Sequence, residues 1–365
     1  MRVLFAIPGL HRYDRGAEVA FMAIAKELAK TGDIVTLIGA GKLRDGMPYR
    51  FVRAGCIGRE NFETFPALPV FRNEFAYEEL TFIPGLLRAY HPAEYDVTVT
   101  CSYPFTNWAL RRPSLRKPRP PHVFVTQNGD WPAFANQSEY IYFGCEGLVC
   151  TNPDFFERNK TRWRCRMIPN GVDLERFRPR ESQRAEFGLP AERLIVLMVS
   201  ALAESKRVEV GIEAVSKIPG AHLVVAGDGP LRRAVDAQAA KSLPGRFTRL
   251  SLSSDKMPSL YQSADVFLHL SKEESFGNVY VEAMASGLPI VAHDSPRLRW
   301  LLGEDEYLLD TNNVSAIAHS ISLARLTTNL QRQERVARAG LYSWPRIAAL
   351  YRDFLHDVID VNLHS

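Results

Sequence analysis

RVLFAIPGLHRYDRGAEVAFMAIAKELAKTGDIVTLI, residues 2–38, sets the architecture. Residues 3–7 form a short apolar run that ends at Pro8-Gly9, a tight-turn pair. Residues 17–30 carry apolar side chains at helical spacing, and residues 34–38 return to an apolar, β-branched run. Strand, glycine-bearing turn, helix, strand is a βαβ unit. It requires a right-handed crossover between parallel strands.

Working outward, buried-strand runs recur at residues 97–100, 123–126 and 148–150. At residues 169–179 (PNGVDLERFRP) the pattern pauses on turn chemistry. A second series follows, with strand runs at 194–200, 223–226, 247–252, 266–270 and 290–292 and helical patterns at 208–218 and 255–264. Residues 44–80 mix Gly, Pro and aromatics without a clean period and read as loops and short irregular elements. The expected fold class is α/β, two Rossmann-like doubly wound domains facing a cleft. We draw them at residues 1–175 and 176–343, with a final helical stretch at 344–365. In open parallel sheets ligands bind beyond the carboxyl ends of strands, so functional residues are sought there.

The 365-residue length suits two such domains, and 46% hydrophobic with 24% charged residues is ordinary globular composition. The net charge of +4 is mild. The densest basic stretch, RRPSLRKPR at 111–119, is Pro-broken and reads first as a solvated loop that can also touch anionic headgroups. Bases and aromatics do not interleave as single-stranded nucleic-acid binding requires. Five cysteines without a CxxC pair favour a reduced, cytoplasmic setting, and no Cys/His group has zinc-ligand spacing. The first apolar run is too short to span a membrane and lacks a signal-peptide layout.

The strongest chemical motif is ESFGNVYVE, from Glu274 to Glu282, followed by AMASGLPIVA. Glu274 closes a post-strand loop, and Glu282 lies inside a helix that starts near Gly277. The N–H groups and dipole of a helix start attract phosphate, and Gly277 admits close backbone approach. Glu274 suits sugar hydroxyls and Glu282 suits ribose hydroxyls.

With these residues the chain resembles the retaining glycosyltransferases of family 4, which have the glycosyltransferase B architecture. Further matching segments are IPNGVD (168–173), AGDGP (226–230), SLYQSADVFLHLS (259–271) and EAMASGLPIVA (282–292). The resemblance implies a donor-binding second domain, an acceptor-side first domain and a last helix that crosses back to the first. It implies that Glu274 holds the donor sugar and Glu282 the ribose. The backbone of Phe276, Gly277, Asn278 and Val279 would hold sugar and phosphates, with Gly227 among the donor-binding residues. In similar enzymes a lysine at Lys206, here in VSALAESKR (199–207), neutralises the donor diphosphate. A fixed cation there stabilises leaving-group charge.

The chain departs from the family at three places. Ala201 stands where many members carry an arginine, with Arg207 and Arg15 as candidate substitutes. Arg15-Gly16 replaces paired glycines, leaving Gly16 at the helix start, and Glu18 reads as a helix-capping residue. Asn128 replaces a histidine; it positions a hydroxyl but is no acid or base, whereas Asp130 reads equally as a proton acceptor and as a cap of the following turn. His11 is a candidate cleft histidine.

The expected activity is transfer of a hexose-type sugar from a nucleotide-diphosphate sugar, UDP or GDP favoured, to a hydroxyl of a glycan, glycolipid or small metabolite. The route is metal-independent front-face transfer, with no cofactor and no metal. Expected partners are the nucleotide sugar and the acceptor, without nucleic acid, and with peripheral contact at the inner membrane face. The alternative is a non-catalytic nucleotide-sugar-binding partner protein of the same fold. A dinucleotide oxidoreductase is a poor third reading, because GAGKLR at 39–44 lacks a third glycine and follows the second strand.

Overall fold

The computed structural model describes residues 1–113, 119–134 and 142–363. Residues 114–118 of the basic stretch therefore lie outside the described residues. At its end, Arg119 makes a two-pronged pair with Glu146, at 2.9 and 2.6 Å.

The chain divides into two compact units, Met1–Asn170 with Trp344–Ser365, and Gly171–Ser343. The first contains β1 (Arg2–Ala6), β2 (Ile34–Gly39), β3 (Arg50–Arg53), β4 (Val97–Thr100), β5 (His122–Val125), β6 (Gly147–Cys150) and β7 (Cys165–Met167). Their order is β3-β2-β1-β4-β5-β6-β7, and every neighbouring pair is parallel. Its first helices are α1 (Gly16–Lys30), α2 (Glu74–Ala89), α3 (Phe105–Leu110) and α4 (Pro153–Asn159). In β1, Val3, Leu4, Phe5 and Ala6 are all buried, as a parallel strand covered on both faces requires. The inward face of α1 is Ala17, Ala20, Phe21, Ile24 and Leu28, one stripe at helical period.

The second unit contains α5 (Val208–Ser216), α6 (Arg232–Ser242), α7 (Met257–Gln262), α8 (Asn278–Ala285), α9 (Pro296–Leu302), α10 (Val314–Ala324) and α11 (Asn329–Ala339). Its strands are β8 (Ile195–Val199), β9 (His222–Ala226), β10 (Phe247–Leu250), β11 (Val266–His269), β12 (Ile290–His293) and β13 (Tyr307–Leu309). The order β10-β9-β8-β11-β12-β13 is again parallel throughout. Winding reverses between β8 and β11, and a crevice opens at the carboxyl ends of strands at such a reversal.

The last helix, α12 (Trp344–Leu363), belongs to the first unit. Its Ile347, Tyr351, Phe354, Leu355 and Val358 share a core with Phe5, Phe21, Ile24 and Leu28. Arg352 adds an ion pair to Asp33 at 3.1 Å.

The region without a sequence period holds β3 and the start of α2. A proline, Pro84, stands inside α2, and two glutamates, Glu78 and Glu79, lie on its buried face. The apolar stripe is thereby interrupted, and the helix does not announce itself. The strands β7 and β13 also escape a sequence reading, because each has three half-buried residues.

Glu79 has a measurable consequence. Burial pushes its pKa up to about 8, against partial offsets from the Ser102 and Thr106 side chains and the Phe105 N–H. The Phe105 N–H donates to Oε2 at 3.3 Å, and Oε1 is buried with no hydrogen-bond partner among the described residues. The folded pKa lies above the ordinary carboxyl value of 4.5. Stability linked to the protonated form is therefore full below pH 4.5 and is lost as pH rises through 8. Glu79→Gln keeps an acceptor for Phe105 and removes the titration. We predict that it stabilises the protein at pH 8.5 by on the order of 1–3 kcal/mol and changes little at pH 5. Denaturant unfolding at both pH values checks this. Equal effects at the two would show that Glu79 is not the titrating group.

Candidate active site

In the second unit, three segments meet at the carboxyl ends of β8, β11 and β9. After β8, a short 3-10 turn at Glu204–Lys206 presents Lys206. After β11, the chain passes Glu274 and enters α8 through Gly277, whose φ of +90° is left-handed. A side chain at Gly277 would meet the Tyr280 ring at 2.6 Å, so both backbone angle and space demand glycine there. After β9, Gly227 has φ +153°, and an added Cβ would lie 1.9 Å from the Ser200 carbonyl oxygen. The β8 and β9 loops are zipped at that point, with Leu202 N–H donating to Asp228 O at 3.0 Å.

Glu274 is the hub. Its Oε1 accepts from the Lys206 ammonium and from His269 Nε2, the latter at 3.0 Å. Its backbone carbonyl accepts from Arg297 on α9, which also reaches Lys272 O at 3.4 Å. Burial would push the Glu274 pKa up, but the His269 hydrogen bond and charge, with Lys206, hold it down at about 2. Glu282 lies one turn into α8 and accepts from the Tyr261 hydroxyl at 2.8 Å. Burial raises its pKa to about 7, against the Tyr261 bond and the Arg176 charge. Two carboxylates of one motif thus have opposite tendencies. One is a fixed anion, and the other takes up a proton near neutrality.

The remaining donor-side residues divide. Asn278 and Val279 form the first turn of α8, and the Val279 carbonyl accepts from Tyr261 at 3.4 Å. Phe276 is buried against Trp300 and Tyr342 and contributes a fixed backbone position. Arg207 does not join the group as a second free cation. Its guanidinium donates to Thr311 Oγ1 (2.6 Å), Thr311 O (2.9 Å) and Leu270 O (3.4 Å). It braces the ends of β11 and β13.

The other candidates lie in the first unit. Arg15 is the N-cap of α1, stacks at 3.7 Å over the Tyr13 ring, and stands 3.9 Å from Glu18. Gly16 is the first residue of α1. Glu18 is the acidic residue of the first turn of α1, whose N-cap Arg15 makes no side-chain cap bond. It is buried against Gly9, and burial, offset by Arg15, raises its pKa to about 6. Asn128 is exposed beyond β5 and donates to Cys101 Sγ at 3.6 Å. Both oxygens of Asp130 are engaged by α4, with Arg158 Nε at 2.7 Å and Asn159 Nδ2 at 2.6 Å. Asp130 therefore braces its loop and does not stand ready as a proton acceptor. His11 is a core histidine, bonded to Tyr49 at 3.2 Å and packed on Phe51.

Three residues of the site escaped the sequence reading: His269, Tyr261 and Arg297. The first two lie in the matching segment at 259–271, but a histidine or tyrosine in an apolar run reads as core. Arg297 acts through backbone carbonyls, which leave no sequence signal.

Fold and family matches together make this chain a glycosyltransferase. The chain belongs to the family 4 and group 1 glycosyltransferases: residues 15–176 match the family described as Glycosyltransferase Family 4, and residues 179–340 match Glycosyl transferases group 1. Among curated relatives, it is 27% identical over 259 residues to the lipopolysaccharide core biosynthesis glycosyltransferase LpsE of Rhizobium meliloti, covering 68% of this chain and 74% of that protein. It is 31% identical over 191 residues to a GDP-mannose-dependent alpha-(1-6)-phosphatidylinositol dimannoside mannosyltransferase of Mycobacterium tuberculosis. That match covers 50% of this chain and about half (49%) of that protein. Among solved structures, sucrose-phosphate synthase from Thermosynechococcus elongatus aligns with a TM-score of 0.80 at 20% identity, covering 99% of both chains. Anabaena HepE in complex with UDP and glucose aligns with a TM-score of 0.72 at 17% identity, covering 98% of this chain and all of that one. Both share the two-sheet glycosyltransferase B fold.

Proposed function

We propose that this chain moves a hexose-type sugar from a UDP or GDP donor to a hydroxyl of a glycan, glycolipid or small metabolite, with retention of anomeric configuration. The observation that carries the reading is the convergence of Lys206, Glu274 and the Gly277 helix start at the carboxyl ends of β8 and β11. An anion-holding helix start and a cation sit beside a carboxylate kept ionised. A nucleotide sugar presents the matching parts: a diphosphate, and hydroxyls that donate to a carboxylate. The relatives named for a GDP-mannose donor and for a UDP complex support the donor class.

In the proposed reaction the bond between the anomeric carbon and the diphosphate oxygen breaks, and its electron pair stays on that oxygen. The acceptor hydroxyl attacks from the same face, and its proton passes to the departing phosphate oxygen. Lys206 and the α8 N–H groups stabilise the charge that builds there. Glu274 fixes the sugar, and Glu282 fixes the ribose. With Asp130 engaged by α4, the route calls on no protein base. Lys206 and the helix start supply the charge stabilisation that a divalent ion supplies elsewhere.

Five free cysteines agree with a reducing cytoplasmic setting. Among the described residues no helix is long and apolar enough to cross a membrane. Contact with a membrane-borne acceptor is accordingly proposed as peripheral.

The test is proton NMR of the first product formed from each of a panel of UDP and GDP sugars, with EDTA present. We expect consumption of one donor, chelator-insensitive, with the donor's anomeric configuration kept in the product. An inverted product, or turnover that collapses in EDTA and returns with magnesium, would overturn the mechanism.

A further inference from the structure

Glu274 has two donors on one oxygen, and they differ in kind. Lys206 reaches it from the end of a loop, on a flexible four-carbon stem. His269 reaches it from the last residue of β11, and nothing about that ring is loose. It is 2% exposed. It lies parallel to Phe267, with centroids 6.1 Å apart and planes 6° apart. The edge contact with Tyr280 is at 5.0 Å and 83°. Tyr280 is itself fully buried and fills the space beneath Gly277. Nδ1 of His269 is buried without a partner among the described residues, so Nε2–H is the donor that finds an acceptor, at 3.0 Å.

The reaction places two demands on Lys206. In the ligand-free protein its ammonium is paired with Glu274. A donor diphosphate is a stronger, doubly charged claimant for the same cation, and its claim grows as the leaving group departs. A carboxylate that loses its only tether is free to rotate, and misplacement by about 1 Å costs on the order of 100-fold in rate. His269 supplies the second tether, and its aromatic clamp keeps it in place whatever Lys206 does.

We propose that His269 is a positioning residue for the donor sugar: it keeps Glu274 aimed while Lys206 turns to the departing diphosphate. The inference rests on the donor-site reading given above. It assigns the two bonds different jobs. The Lys206 bond is exchanged during the cycle, and the His269 bond persists.

Three variants separate this from a packing role. His269→Phe keeps the aromatic ring and removes the donor. His269→Gln places an amide N–H near the Nε2 position. Glu274→Ala removes the positioned group. Each is titrated calorimetrically with UDP, GDP, ADP and dTDP, and with their glucose, mannose and N-acetylglucosamine derivatives; thermal unfolding is measured alongside. We expect His269→Phe to bind the sugar-bearing nucleotide about tenfold more weakly while binding the bare nucleotide within about twofold of wild type. His269→Gln is expected to recover most of the loss. If His269→Phe binds the nucleotide sugar like wild type while Glu274→Ala does not, the role of His269 falls and the donor site stands. If the Gln variant is as weak as the Phe variant and both unfold early, His269 is a packing residue only. If wild type binds none of these nucleotides, the donor-site reading fails and the inference with it.

Discussion

Replacing Glu274 with glutamine is expected to lower turnover of the nucleotide sugar by roughly 100- to 1,000-fold while the protein stays folded. Shape is nearly unchanged, so the loss isolates the charge. In the wild type one oxygen accepts from both Lys206 and His269. A glutamine amide that presents NH2 to those two donors breaks both bonds, and one that turns its NH2 toward the sugar hydroxyls gives up the acceptor they donate to and weakens the bonds to Lys206 and His269 by losing the charge. The pH behaviour follows with a definite sign. The carboxyl is depressed from 4.5 to about 2, so its contribution to stability is present above pH 4.5 and is lost as pH falls toward 2. An acid limb of activity between pH 5 and 7 therefore belongs to other groups, Glu282 first among them, since burial raises it to about 7. Steady-state kinetics with the consumed donor check the prediction. Activity within about tenfold of wild type would remove Glu274 from the reaction centre.

Lys206→Met carries the second large effect, a fall in kcat of about 100-fold or more with a smaller change in donor KM. Ala201 brings no charge to the end of β8, and Arg207 is committed to Thr311 and Leu270. On the proposed reading, Lys206 and the start of α8 are then the groups of the second unit that stabilise the departing diphosphate. Lys206→Met preserves the stem and removes only the ammonium, leaving Glu274 with His269. If donor KM rises while kcat is unchanged, Lys206 serves ground-state binding alone, and the assignment of leaving-group stabilisation is wrong.

Much of this was visible in the chain itself, for physical reasons. The β1–α1–β2 opening is legible because parallel strands buried on both faces leave continuous apolar runs, and because α1 has one unbroken stripe. The Glu274 to Glu282 motif is legible because loop, helix start and both carboxylates are contiguous. What stayed hidden depends on partners distant in sequence or on groups that mimic something else. Arg207 looked like a spare phosphate cation, but its partner Thr311 lies 104 residues away. Asp130 read equally as a proton acceptor and as a turn cap, and its partners Arg158 and Asn159 lie 28 and 29 residues away on α4. The helix α2 hides behind Pro84 and its buried glutamates. His269 stands only five residues from Glu274, yet a histidine ending an apolar strand reads as core until the ring is seen to donate outward.

Calorimetric titration with UDP, GDP, ADP and dTDP in the presence of EDTA tests the donor site most directly. It is best run at pH 8, where Glu282 is ionised, and repeated for Glu282→Ala. One nucleotide is expected to bind, and the substitution to weaken it by about tenfold or more, because a ribose hydroxyl loses its carboxylate acceptor. Equal binding by the two proteins, or no binding by either, would contradict it.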